Sequence, residues 1–512
     1  MEKKVVNVSL HNIFNRYKSP VVLLVSQQAP RYNHNGYGQA LEAYRAGLQR
    51  INVRCLTIMP ADDLGNNKLV LNKQQEDIPL NVSGIFNKST FEKNLIASSC
   101  YDKYGPVAMI SLAGEDKWNP LSLNVYSGVD RLSGKQSIRQ NSLFYSMPIT
   151  KEFLEYNLAV AALAKTLKES EPEVPFILHG NDHGTALAVS IMSCDNAMKT
   201  VYTMHNPLFE SIAPRETLEA AGIYPALFGR RPEVNLNMLA CNVAGFVTTV
   251  SSAYAAEMMD MSNGLYHDAT YDRDFFTMLS SRKNEGTFLG ISNGLPYRFL
   301  QRETSAFNGG ERVPLNILWA NRPAPEKSFH DFLAAVEMLA SQKQNSWKRK
   351  LTVTMLFESL YNSGIDRDDL SLIEKLAHNR NIGFSSPTYS EAALLKAIND
   401  KNFATVGIMP SFIEPGGLFA GLLQAQGIPV IVNNSGGLKE VLSNGAIELN
   451  SGDNMAQRIS STILCLLEKE SLSSLNIMNE TAFRSARSLY DPERVAGELM
   501  EKVYKPLLGK QG

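Results

Sequence analysis

Cysteine is scarce: five occur among 512 residues (Cys55, Cys100, Cys194, Cys241, Cys465), scattered, odd in number and never as C-x-x-C. That excludes a disulfide-stapled scaffold and a cysteine-built structural zinc site, and leads us to expect reduced thiols and a cytoplasmic protein. Charge of one sign is not in excess either. Lys+Arg total 50 and Asp+Glu 51, so no overall field draws the chain to nucleic acid or to an anionic membrane. No apolar run reaches the ~18 residues that a membrane span needs. The opening "MEKKVVNVSLHNIF" has no long apolar core of the kind a signal peptide carries. No short-period repeat or low-complexity block is visible. What remains is 44% hydrophobic and 20% charged content over 512 residues, an ordinary globular chain long enough for two or three domains.

Apolar runs ending in turn chemistry set the organisation. "PVVLLVSQQAP" (20–30) reads as a buried parallel strand. "GYGQALEAYRAGLQR" (36–50) follows with Ala40, Leu41, Tyr44 and Leu48 at helical spacing, and "NVRCLTIMP" (52–60) is the next strand. Strand, glycine loop, helix and strand make a βαβ unit. The stretch 61–140 is polar and irregular and predicts little. A helix over 150–170, a strand–loop–helix over 175–192, and strands running into polar turns over 199–206 and 245–259 continue the pattern. "QRETSAFNGGERV" (301–313) reads as a linker, after which strand and helix alternate again from "LNILWANRP" to "PVIVNN". Two doubly wound α/β halves joined near residue 305 are expected.

In such sheets ligands bind beyond the carboxyl ends of the strands. The residues placed there are Asn35-Gly36-Tyr37-Gly38, Asn181-Asp182-His183-Gly184, His205-Asn206, Asn293-Gly294, Arg322 with Lys327, Glu414 with Gly416-Gly417, and Ser435-Gly436-Gly437. Glycines let backbone N–H groups approach phosphate oxygens, and a helix N-terminus favours that negative charge. Arg322 and Lys327 are suited to neutralise a diphosphate leaving group, a task otherwise given to a metal. Glu414 can accept hydrogen bonds from sugar hydroxyls. The combination suits an activated nucleotide sugar held between two domains.

These residues carry a resemblance. "MPSFIEPGGL" looks like the P-S-x-x-E-P-x-G-L of the glycogen/starch synthase family of retaining glycosyltransferases, and "GIPVIVNNSGGLKEV" resembles its I-P-V-V-x-x-T-G-G-L. "NRPAPEK" is similar to the family's R-x-x-x-x-K, "TYSEA" to its G-Y-x-E-A, and "TMHN" and "GISNG" to its T-x-H-N and G-I-x-N-G. The resemblance runs from about residue 20 to the end and is weakest across 61–140. It implies the GT-B fold, two Rossmann-like domains facing a central cleft. The implied parts are an acceptor-side domain over 1–305, a nucleotide-sugar domain over 306–490, and a closing helix over 491–512 that crosses back. By the same resemblance the catalytic groups are Arg322, Lys327, Glu414 and His183. The donor is held by Gly36, Gly38, Gly184, Asn206, Tyr389 (stacked on the base), Gly416, Gly417 and Leu418.

Two family motifs are altered. "NHNGYG" stands where the family has K-x-G-G-L-G, with Asn33 in place of Lys and Asn35 in place of the first Gly. "HGNDHG" stands for H-x-H-D-W-H, so the catalytic His position falls on Gly184, with His183 one residue before it. Gly184 suffices if that position works through its carbonyl; otherwise His183 must take the place.

Each feature also has a purely structural explanation. The glycine pairs are turns, the two cations surface charges, the histidines packed polar groups, and Asp182 a cap for a helix starting near Thr185. The leading expectation is transfer of a sugar, expected to be glucose, from an ADP-, UDP- or GDP-linked donor, with no metal and no other cofactor. The acceptor is a glycan, a small molecule or a protein. The second expectation, from another class, is a non-catalytic nucleotide-sugar-binding scaffold.

Overall fold

The computed structural model describes residues 20–26, 36–60, 77–80, 95–102, 105–112, 145–149, 151–195, 198–206, 209–220, 223, 231–260, 273–300, 313–342, 347–357, 365–443 and 445–509. Asn33, Asn35 and most of the expected linker (301–312) lie outside them. The chain divides into two compact units. The first comprises Met1–Val250, Met258–Ile291 and Pro492–Gly512, the second Ser251–Glu257 and Ser292–Asp491. The division between the two large pieces thus falls at Ile291/Ser292, where the sequence suggested a joint near 305. Among the described residues no helix is long and apolar enough to cross a membrane.

The first unit is built on a nine-stranded sheet. Its strands are β1 (Val21–Val25), β2 (Arg54–Pro60), β3 (Asp77–Leu80), β4 (Leu95–Asp102), β5 (Gly105–Leu112), β7 (Phe176–Asn181), β8 (Lys199–Met204), β11 (Phe246–Thr249) and β12 (Phe288–Gly290). They run in the order β12-β11-β8-β7-β1-β2-β5-β4-β3. Neighbours from β12 to β5 pair in parallel, whereas β4 pairs antiparallel with both β5 and β3. The stretch 61–140, expected to be irregular, therefore supplies three strands that extend the sheet. A smaller sheet holds β6 (Tyr145–Pro148), β9 (Phe209–Pro214) and β10 (Glu233–Asn235).

All five residues of β1 are buried, as a strand covered by helices on both faces requires. The helix Gly36–Arg50 packs its Leu41, Tyr44 and Leu48 against Val495, Leu499 and Tyr504 of the C-terminal segment. Their approach is close. A Cβ on Gly47 would lie 2.0 Å from the Pro492 carbonyl oxygen, so only glycine fits there. The same segment is tied to the sheet by a buried polar chain: Tyr504 Oη to His179 Nδ1 at 2.6 Å, then His179 Nε2 to Thr203 Oγ1 at 2.6 Å. Burial lowers the His179 pKa to about 3, so the ring is neutral at pH 7.

The second unit carries a fully parallel six-stranded sheet: β13 (Leu315–Trp319), β14 (Leu351–Met355), β15 (Gly383–Ser385), β16 (Ala404–Met409), β17 (Val430–Val432) and β18 (Ile447–Glu448). The order β15-β14-β13-β16-β17-β18 is the 3-2-1-4-5-6 arrangement of a Rossmann sheet. Its core centres on Trp319, which stacks on Phe332 at 4.7 Å and meets Phe329 edge-on. The strand order reverses between β13 and β16, and in the first unit between β1 and β7. Those two switch points are where doubly wound sheets take ligands.

Candidate functional site

At the second unit's switch point, β13 ends at Trp319 and the chain turns through Arg322 into the short 3-10 turn Pro325–Lys327. Arg322, half-buried, pairs with the buried carboxylate of Glu326. The Glu326 carbonyl accepts the Phe412 N–H at 3.1 Å, which ties the cation-bearing turn to the loop after β16. Lys327 reaches that loop directly. Its Nζ lies 2.5 Å from Glu414 Oε2 and donates to the Ile413 carbonyl at 3.4 Å. Glu414 is otherwise held by Ser411 Oγ on Oε2 at 3.2 Å and by the Gly417 N–H on Oε1 at 3.4 Å. Both members of the pair are largely buried, with side chains 12% and 10% exposed. A buried carboxylate needs such partners, and Glu414 has three.

The glycines after Glu414 solve a packing problem. Gly417 adopts φ +59°, a left-handed conformation that opens the helix Leu418–Ala425. Gly437 faces it so closely that a Cβ would meet the Pro415 oxygen and the Gly416 carbonyl carbon, each at 2.7 Å. The two glycine pairs interdigitate, and the Gly437 N–H donates to the Glu414 carbonyl at 2.7 Å. The amides of the second pair are spent internally, since the Gly436 N–H goes to Glu257 at 2.7 Å. By contrast, among the described residues the Gly416 and Leu418 amides have no acceptor in the chain. Free amides at the start of a helix make an anion site. The first glycine pair is therefore the one suited to phosphate.

Tyr389 stands where β15 leads into the helix Glu391–Asn399, its N–H bonded to the Phe357 carbonyl at 2.9 Å. Ser390 caps that helix through the Ala393 N–H, leaving the half-buried Tyr389 just ahead of the cap.

In the first unit the expected strand-end motifs come together. The hydroxyl of Tyr37, between Gly36 and Gly38 at the start of its helix, donates to the Asn181 carbonyl at 3.1 Å. The Tyr37 ring meets His205 edge-on at 4.8 Å, and His205 Nε2 lies 3.2 Å from Asn181 Oδ1. Asp182 is strained, with φ +62° and ψ 173° on a non-glycine residue. Its side chain does not cap the following helix, contrary to the structural expectation; Oδ1 accepts the Asn206 N–H at 3.4 Å instead. Burial raises its pKa to about 7. His183 is fully buried, with Nδ1 2.8 Å from Ser211 Oγ, and burial lowers its pKa to about 4. The Gly184 carbonyl accepts Asn157 Nδ2 at 3.0 Å.

Sequence reasoning passed over Glu326, Ser411 and Glu257. The first sits inside the quoted "NRPAPEK", where a carboxylate four residues after Arg322 is a readable i,i+4 partner. Glu257 had no local signal at all.

Comparison with known proteins follows the same line. The family described as the starch synthase catalytic domain matches residues 117–271. The glycogen synthase of Thioalkalivibrio sulfidiphilus is 26% identical over 293 residues, covering 52% of this chain and 57% of that protein. The chain thus spans little more than half the length of such relatives. Among solved structures, the catalytic domain of starch synthase IV from Arabidopsis thaliana, bound to ADP and acarbose, superposes with a TM-score of 0.67 at 16% identity. The match covers 94% of this chain and 99% of that one. A trehalose-6-phosphate protein from E. coli bound with UDP-2-fluoro glucose gives 0.55 at 12% identity, over 95% and 98% of the two chains. The fold is GT-B, and the resemblance to glycogen and starch synthases read from the motifs is borne out.

Proposed function

We propose that this chain is a retaining glycosyltransferase that moves a hexose from a nucleoside-diphosphate sugar to a hydroxyl of a glycan. The observation that carries the proposal is the placement of Arg322, Lys327, Glu414 and the free Gly416 and Leu418 amides around the β13/β16 switch point. Cations and helix-start amides there suit a diphosphate, and a fixed carboxylate beside them suits sugar hydroxyls. Tyr389 would stack on the base. The ligands of the two superposed structures, ADP in one and UDP-2-fluoro glucose in the other, carry the nucleoside diphosphate that such a site would hold.

In the reaction the bond from the anomeric carbon to the diphosphate oxygen breaks, and its electron pair leaves on the diphosphate. Arg322, Lys327 and the Gly416 and Leu418 amides stabilise that growing charge, which is the electrostatic work a metal does elsewhere. The acceptor oxygen bonds to the same face of the anomeric carbon, and its proton passes to a phosphate oxygen. Glu414 accepts from the hexose hydroxyls and, paired with Lys327, joins sugar recognition to leaving-group stabilisation.

One observation favours a second reading, a nucleotide-sugar-binding scaffold without transfer. His183 is turned into the protein against Ser211, and the motif's His position is Gly184. Calorimetry against ADP-, UDP- and GDP-glucose, followed by donor hydrolysis and transfer to glucan oligomers, separates the two. An enzyme binds one donor and turns it over; a scaffold binds and never hydrolyses. Failure to bind any of the three would overturn both readings.

A further inference from the structure

The loop that carries Glu414 is gripped by a piece of chain from far upstream. Ser251–Glu257 precedes the loop by more than a whole strand–helix series, yet it clusters with the second unit. Ser251 is fully buried. Its Oγ donates to the Pro415 carbonyl at 2.7 Å and accepts the Tyr254 N–H at 3.0 Å, so it caps the helix Ser252–Met259 while holding the residue after Glu414. Two turns along, the buried Glu257 carboxylate accepts the Gly436 N–H at 2.7 Å and faces Lys439 Nζ at 2.7 Å. The arrangement is reciprocal. Glu440, on the helix Leu438–Ser443, accepts the Ser252 and Ala253 N–H groups at 2.8 and 3.1 Å and the Ser292 hydroxyl at 2.5 Å.

Both grips hold the chain as it leaves Glu414. The next residue, Pro415, is fixed by Ser251, and the Glu414 carbonyl itself is fixed by the Gly437 N–H, next to the Gly436 that Glu257 holds. Gly436 has φ +45°, and a Cβ on it would come within 2.2 Å of the Glu414 oxygen, so this backbone has little room to take another path. A buried carboxylate is a costly way to join two helices, and well-packed apolar groups hold as well. What a carboxylate adds is a direction: it sets where the Gly436–Gly437 peptides point.

We propose that Ser251 and Glu257 are positioning residues for Glu414, fixing the backbone that leaves it so that its carboxylate meets Lys327 and the bound hexose in one geometry. This rests on the sugar-binding role of Glu414 given above. Displacement of a reacting group by about 1 Å costs on the order of 100-fold in rate, so a partial loosening is expected to cost about tenfold.

The test is a double-mutant cycle read in single-turnover donor consumption and in donor KM. Glu257→Gln is isosteric and keeps an acceptor for Gly436 while losing the charge that faces Lys439; Ser251→Ala removes the hold on Pro415. Each is made alone and in a Glu414→Gln background. The expected result is about a tenfold fall in turnover with donor KM within about twofold, and no further fall when Glu414 is already Gln, because residues acting through one group are not additive. Equal losses in both backgrounds, or full turnover in the single variants, would overturn the proposal. A fully active Glu414→Gln protein would instead remove the role of Glu414, and this inference with it. If Glu257→Gln does not fold, Ser251→Ala reads the same coupling.

Discussion

Replacing Lys327 by Met separates what the Lys327–Glu414 pair does for the fold from what it does for the chemistry. The Nζ lies 2.5 Å from Oε2, and both side chains are about nine-tenths buried. Removing the cation leaves the carboxylate with only the Ser411 hydroxyl at 3.2 Å and the Gly417 amide at 3.4 Å, both at the long end of hydrogen bonding. Breaking a buried pair by deleting one partner costs about 3–5 kcal/mol, and the slight exposure here favours the lower figure. Loss of a charge-assisted donor to the leaving diphosphate should cost roughly 3–4 kcal/mol more, this time in the barrier, or 100- to 1,000-fold in turnover. Adding Glu414→Gln to Lys327→Met removes the stranded charge, so the double variant should recover most of the stability and none of the turnover. Urea unfolding and single-turnover transfer on the wild type, both single variants and the double variant supply the readings. A Lys327→Met protein as stable as wild type would mean that the pair does not form. A double variant that regains turnover would mean that the pair is only structural.

How much of this was legible in the sequence depends on how local each cause is. The strands beside the switch points are apolar runs that end abruptly in polar residues, as in "LNILW" before Arg322 and "ATVGIM" before Glu414, because strands covered on both faces have no reason to alternate. The helix Gly36–Arg50 was legible to the residue because its apolar residues recur at helical spacing between a glycine-marked start and a polar end. The strands β3 to β5 were not. "DIPL" holds a proline and four residues in all, and "LIASSCYD" carries two serines at its centre, so at the antiparallel edge of the sheet neither shows a buried-strand pattern. Arg322, Lys327 and Glu414 were found because the chemistry of a diphosphate sugar asks for such groups at strand ends. Glu257 was not, since "GFVTTVSSAYAAEMM" reads only as a strand running into a polar turn and the partners of Glu257 lie some 180 residues ahead. The altered "HGNDHG" was visible, but the outcome of the alteration was not. That His183 turns inward onto Ser211 depends on β9, which no local pattern places there.

Three further outcomes are expected. Gly437→Ala must push its Cβ off Gly416 and Pro415, each 2.7 Å away, and overpacking of this kind costs roughly 1–3 kcal/mol; urea unfolding should show the loss and calorimetry a weakened donor. Ser328→Gly should stabilise by about 1 kcal/mol, because Ser328 sits at φ +56° with a buried Oγ that has no partner among the described residues; a lower urea midpoint would refute this. The last concerns acid. Burial holds His179 and His205 at about 3 and His183 at about 4, all below the unfolded value of 6.5, while it raises Asp182 from 3.8 to about 7. Between pH 4 and 6.5 the unfolded chain therefore binds a proton on each of the three histidines and none on the aspartate, whereas the folded chain binds one, on Asp182. The unfolded state holds two more protons, so stability falls as pH drops through this window, by at most about 2.7 kcal/mol per pH unit from these groups. The aspartate works against the histidines: its contribution is fully present below pH 3.8 and is lost as pH rises toward 7. Asp182→Asn, which cannot ionise, should therefore lose stability more steeply on acidification than wild type, by about half as much again, since the opposing proton is gone. Urea midpoints for the two proteins from pH 4.5 to 6.5 give the slopes. Equal slopes would show that Asp182 is already ionised across the window, and that the carboxylate under the Asn206 amide carries its charge when folded.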